Sequence, residues 1–81
     1  MNDEDTAARV LSAVRATTEA GEVRCDMSFE YDLRMDSAAL IGLLDAVETE
    51  LGVVVADEWL SRMYRVRDLV DAVCEARLAA K

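Results

Sequence analysis

Five apolar residues, Leu40, Leu43, Leu44, Val47 and Leu51, recur at i, i+3, i+4, i+7 and i+11, and Gly52 follows them. That spacing is one face of a helix, whereas a strand would alternate every second residue. It predicts a helix over Ser37–Leu51, with Gly52 as its stop. The opposite face carries Asp45, Glu48, Thr49 and Glu50. Gly42 lies off the stripe and costs ~1 kcal/mol relative to Ala in mid-helix. Either close approach of a partner or plain tolerance accounts for it. A helix with a single apolar face is stable only when other elements cover that face. The chain contains no proline, so helices are open to most of it.

The partners for that stripe follow from the rest of the pattern. A first helix is expected from about Thr6 to Glu19, with Val10, Leu11 and Val14 inward and Ala7 and Thr18 extending the face. Asp3, Glu4 and Asp5 at its start suit the helix dipole, and Ala20-Gly21 ends it. From Gly21 to Asp36 the residues Val23, Cys25, Met27, Phe29, Leu33 and Met35 alternate with polar ones. A lone strand has nothing to pair with, so this reads as a packed loop anchored by Phe29 and Leu33. Loops of this length are uncommon unless they serve a function. Val53–Ala56 reads as extended. Asp57 is expected to cap a short third helix containing Trp59, Leu60 and Met63. The last helix shows Val66, Leu69, Val70, Val73 and Arg77 in register, with Cys74 beside them. Tyr64 and Arg65 are poor caps for it, which leaves open that the last two helices run together.

Length and charge narrow the function. Eighty-one residues make one domain, 1–81, with a thin core. Hydrophobic residues at 53% and charged residues at 32% describe a folded, soluble chain. No apolar run spans a bilayer, and Met1-Asn2-Asp3-Glu4-Asp5 is the opposite of a secretory leader, so no membrane role and a cytoplasmic location are expected. A net charge of −8 argues against nucleic acid and for partners with basic docking patches. Eight of the nine basic residues are Arg, a weak pointer to a GC-rich bacterial genome. The chain has no histidine, so Ser-His-Asp and Cys-His catalysis are impossible within it and no catalytic or metal site is expected. Cys25 and Cys74 have no metal-like spacing and read as reduced thiols.

Asp36-Ser37 stands at the mouth of the predicted second helix. A phosphate on the Ser37 hydroxyl would meet the first unpaired N–H groups and the positive end of the helix dipole. The same dipeptide is also an ordinary N-terminal cap.

Taken with their surroundings, these residues resemble the acyl carrier protein family, which includes the carrier domains of polyketide and nonribosomal peptide synthetases. The resemblance covers roughly Ser28 to Val73. Ser28-Phe29, Asp32-Leu33 and Asp36-Ser37 look like the approach to the family's attachment site. Leu40 to Gly52 look like its second helix; Val55, Asp57-Glu58, Met63 and Val66 to Val73 look like its last two. The resemblance implies an all-α four-helix bundle with a long first loop and a short third helix. It implies that Ser37 takes 4′-phosphopantetheine from coenzyme A, through a separate phosphopantetheinyl transferase, and that the arm's thiol then holds acyl or aminoacyl groups as thioesters. Asp36 corresponds to the acidic residue before the serine, with capping and contact to the transferase or its metal as its tasks. Ala38, Ile41 and Glu48 fall where family members dock partners, although Glu48 reads equally as a solvated side chain. Leu44, in the same region, reads as core.

Two departures stand out. Family members usually carry Gly where this chain has Arg34, and Leu where it has Ala38. With the Arg-rich composition they point to a discrete carrier of specialised metabolism, with polyketide or antibiotic assembly first and an aminoacyl or peptidyl carrier second; a fatty-acid-synthesis carrier is a further alternative, and a monomer is expected. An acyl- or aminoacyl-loading enzyme and a ketosynthase or acyltransferase would be its partners. Two other classes compete: an unmodified helical interaction module whose Ser37 only caps, and a small helical enzyme holding a dicarboxylate on Arg15, Arg24 or Arg34.

Overall fold

The computed structural model describes residues 3–18 and 21–79. Helix α1 spans Asp3–Thr17, α2 spans Ser37–Leu51 and α3 spans Val66–Ala79; a 3-10 turn, Asp57–Arg62, stands between the last two. The expected four helical segments are present, and the third is a 3-10 turn.

Helix α1 begins three residues earlier than its apolar spacing implied. Its first turn carries Glu4 and Asp5, both exposed, where negative charge suits the dipole. It ends at Thr17, whose Oγ1 donates to the Val14 carbonyl at 3.0 Å, a local bond that competes with the helix ladder. Glu19 and Ala20, expected at this end, lie outside the described residues. Thr6, Val10 and Val14 form the buried face, with Leu11 half-buried. The buried Thr6 hydroxyl accepts a hydrogen bond from Arg77 of α3. Arg9 donates to the Glu50 carbonyl at the end of α2, where a cation is favoured. Helix α1 packs against both α2 and α3.

Helix α2 matches its expected bounds. Leu43, Leu44 and Val47 are buried, and Leu40 and Leu51 are half-buried against the same core. Fully burying such a side chain is worth ~1.5–3 kcal/mol relative to exposure. Gly52 takes a left-handed φ of 65° and its N–H bonds to the Glu48 carbonyl, closing the helix. A Cβ at Gly42 would meet nothing within 4 Å, so no close approach inside the chain demands that glycine.

The loop before α2 is packed, as expected. Val23, Phe29 and Leu33 are buried in the core shared by all the helices. One antiparallel bridge, Ser28–Arg65, is the β pairing present among the described residues. Around it Phe29 N–H donates to the Tyr64 carbonyl (3.0 Å), Val66 N–H to Met27 (2.9 Å) and Arg67 N–H to Cys25 (2.9 Å). The loop carbonyls thus satisfy the first amides of α3, which a helix leaves unpaired.

In the second half one expectation is corrected and one open question is answered. Asp57 is the first residue of the 3-10 turn, not its cap. Ala56 holds the cap position; its methyl offers no side-chain bond, and its carbonyl closes the first turn with Trp59 N–H at 3.0 Å. Met63 lies just past the turn and is buried. Helix α3 is separate from the turn, and its start is capped from within. Asp68 Oδ2 accepts from Tyr64 N–H (3.0 Å) and Arg65 N–H (2.8 Å), the reach-back half of a capping box. Trp59 Nε1 donates to Glu75 of α3 at 2.5 Å, which ties the turn to α3, and within the turn the Arg62 guanidinium lies 4.4 Å over the Trp59 ring. Among the described residues no helix is long and apolar enough to cross a membrane, and no cluster of side chains suits a metal ion. Cys25 and Cys74 are half-buried and are not joined in a disulfide.

Candidate functional site

The chain approaches α2 through a tight turn over residues 28–35. Ser28 N–H donates to Asp32 Oδ2 at 2.7 Å, while Ser28 Oγ accepts from Tyr31 N–H at 3.1 Å. The Ser28 carbonyl accepts from Asp32 and Leu33, and the Phe29 carbonyl from Met35. Buried Phe29 and Leu33 pin this turn to the core. Arg34 then reverses the chain with φ 56°, the left-handed region. That conformation costs a residue with a Cβ ~1–2 kcal/mol, which Gly would avoid.

Asp36 leaves the turn extended and becomes the cap of α2. Its Oδ1 accepts from Ala39 N–H at 2.8 Å, and its carbonyl accepts from Leu40 N–H at 2.9 Å. Ser37 is therefore the first helical residue, not the cap. Its side chain is exposed, and no hydrogen bond engages its hydroxyl among the described residues. The amides of Ser37 and Ala38 are likewise without partners there. The capping task belongs to Asp36, which leaves the serine oxygen free for chemistry.

Ser37 opens onto a groove of about 700 Å³ between the 28–36 turn, the start of α2 and the segment from Leu60 to Arg65. Exposed Tyr31, Tyr64 and Leu60 line it with half-buried Met35 and Leu40. Glu30, Arg34, Asp36 and Arg65 give it charge of both signs.

Of the other expected site residues, Ala38 is exposed and Ile41 is half exposed, one turn beyond the serine. Leu44 is core. Glu48 is half-buried, and its Oε2 accepts from Val55 N–H at 2.8 Å, holding the extended segment after α2. Arg15 and Arg24 do not line the groove with Arg34. Arg24 is paired with Glu22 and Asp26; the hydrogen bond to Asp26 is the main cause that raises its pKa. The three cations proposed for a dicarboxylate site are not gathered around this groove. Tyr31, Tyr64 and Arg65 escaped sequence reasoning as groove residues, because they sit on loop and turn positions without helical spacing.

The chain is similar to known proteins over most of its length. A family model described as phosphopantetheine attachment site matches residues 7–73, which adds most of α1 to the region of resemblance. Acyl carrier protein 2 of Pseudomonas aeruginosa is 36% identical over 76 residues, 94% of this chain and 96% of that protein. An acyl carrier protein of Rubrobacter xylanophilus is 32% identical over 69 residues, 85% of each chain. One from Nitratidesulfovibrio vulgaris is 39% identical over 54 residues, 67% of this chain and 71% of the relative.

Proposed function

From the premise that this chain belongs to the acyl carrier protein family and carries a phosphopantetheine arm, we propose that Ser37 is the residue to which the arm is attached. The observation that carries this reading is the division of labour at the head of α2: Asp36 caps, and the Ser37 hydroxyl is exposed and unengaged. The surroundings fit a phosphodiester. Two unpartnered amides and a helix N-terminus stand at the serine, and an open groove adjoins it. When bound, the arm supplies a terminal thiol that carries acyl groups in thioester linkage. Ser37 contributes its oxygen, which no side chain among the described residues engages, and the transferase supplies the transfer chemistry. The protein is a carrier and not a catalyst.

The finer reading is a single cytoplasmic carrier domain serving polyketide-type specialised metabolism as a monomer, with a ketosynthase or acyltransferase and a dedicated loading enzyme as partners. Its support is the small exposed Ala38 beside the attachment oxygen and Arg34 at the preceding turn, which depart from the family pattern. Ala38 and Ile41 stand on one exposed surface beside Ser37, suited to docking; Glu48 joins them through its charge.

The test is incubation with coenzyme A and a broad-specificity phosphopantetheinyl transferase, followed by intact mass. The wild-type chain gains one arm, and Ser37→Ala, which keeps the Asp36 cap and the fold, gains none. A loaded Ser37→Ala protein refutes the assignment. Offering the holo chain a panel of acyl and aminoacyl donors then separates the polyketide reading from the aminoacyl one.

A further inference from the structure

Two cations line the groove at Ser37, and they differ in their commitments. Arg65 is used: its Nη1 donates to the Asp26 carbonyl at 2.6 Å. Arg34 has no hydrogen bond or ion pair among the described residues, although Glu30 and Asp36 line the same groove. It is also the one non-glycine described residue with a positive φ, so a side chain stands at this position at a cost in backbone strain that glycine would avoid. It stands three residues before the serine, at the turn that delivers the chain into α2. In a protein of net charge −8, with Asp36 next to the attachment oxygen, a phosphate on Ser37 gains from a nearby guanidinium.

We propose that Arg34 is a positioning residue for the phosphodiester on Ser37, offsetting the Asp36 charge and setting the arm along the groove lined by Tyr31, Leu60 and Tyr64. This rests on Ser37 being the attachment residue. The guanidinium takes part in no bond-making; it selects among the directions in which the anchored phosphate can lie.

The test uses the holo forms of the wild type and of Arg34→Lys, Arg34→Gln and Arg34→Gly, each confirmed as singly loaded by intact mass. If the wild type does not load at Ser37, the attachment reading itself fails, and the mass measurement shows this before any spectrum is taken. Amide spectra of the apo forms establish that every variant is folded. The ³¹P resonance of the phosphodiester is then recorded at low and at high ionic strength. The expected result is a displaced resonance in Arg34→Gln and Arg34→Gly and a position near wild type in Arg34→Lys. The wild-type resonance should also move toward the Gln value as salt screens the pair. Arg34→Gln keeps a side chain on the strained backbone and lacks only the charge, so relief of strain does not mimic the effect. A resonance common to all four proteins at low salt overturns the proposal. So does a Gln variant that loads slowly yet shows the wild-type resonance, because Arg34 would then act on the transferase and not on the phosphate.

Discussion

At the residue scale the head of α2 assigns two neighbours to separate tasks. Asp36 closes the helix by accepting from Ala39, and Ser37 is left to react. Removing the acceptor with Asp36→Ala should cost ~1 kcal/mol, the ordinary worth of such a cap. In a domain of this size that lowers the melting temperature by about 4–8 °C. Asp36→Asn keeps an oxygen for Ala39 and should melt near wild type. If Asp36 also meets the transferase or its metal, the Asn variant loads more slowly at unchanged stability. Paired melting curves and loading rates resolve the two tasks, and a normal loading rate in Asp36→Asn would confine Asp36 to capping. The dipeptide was readable in the sequence. The family resemblance gave the capping to Asp36, as found; the dipeptide alone did not choose, because both types serve and the choice depends on where the helical dihedrals begin.

At the element scale, what the sequence revealed depended on whether the signal was periodic. The stripe from Leu40 to Leu51 and the stop at Gly52 specify α2 by themselves, since one element contains all the information. The start of α3 does not work that way. Its stabilising carboxylate, Asp68, sits inside the helix, and its first amides are satisfied by Cys25 and Met27, some forty residues earlier. A search for a capping residue before the helix passes over both. The same long-range pairing explains why Tyr64 and Arg65 were not visible as neighbours of Ser37, whereas Tyr31 was missed because it sits in a turn without helical spacing. Asp68→Ala should therefore do more than fray one helix end. Urea unfolding should lose about 1–2 kcal/mol with the slope unchanged, as for a strong cap. Hydrogen exchange at Val66 and Arg67 should quicken because the loop that protects them loosens. Exchange unchanged at those two amides would show that the loop holds independently of Asp68.

At the scale of the whole molecule, a chain with a surplus of negative charge exposes a few apolar side chains near the serine, Ile41, Leu60, Tyr31 and Tyr64. Such a surface favours a basic partner that arrives quickly and then packs against apolar contacts. Glu48 tests the first half of that description, provided its bond to Val55 survives. Glu48→Gln retains an acceptor for that amide and removes only the charge. Its association rate with a true partner should fall on the order of two- to threefold at low ionic strength and converge with wild type as salt rises. Equal rates at low salt, by stopped flow, would take Glu48 out of the docking surface and leave it as a clasp for the segment after α2.

The segment leading to the serine is moored to the far helix through peptide groups, with Cys25, Met27 and Phe29 contributing backbone atoms. Exposed side chains along that stretch, such as Glu30 and Tyr31, can therefore change without shifting the mooring, while buried Phe29 and Leu33 and the turn-holding Ser28 and Asp32 stay. Where the hydroxyl stands and what visiting enzymes see around it are separable traits, so one chassis can be re-dressed for a new client while its anchorage stays put.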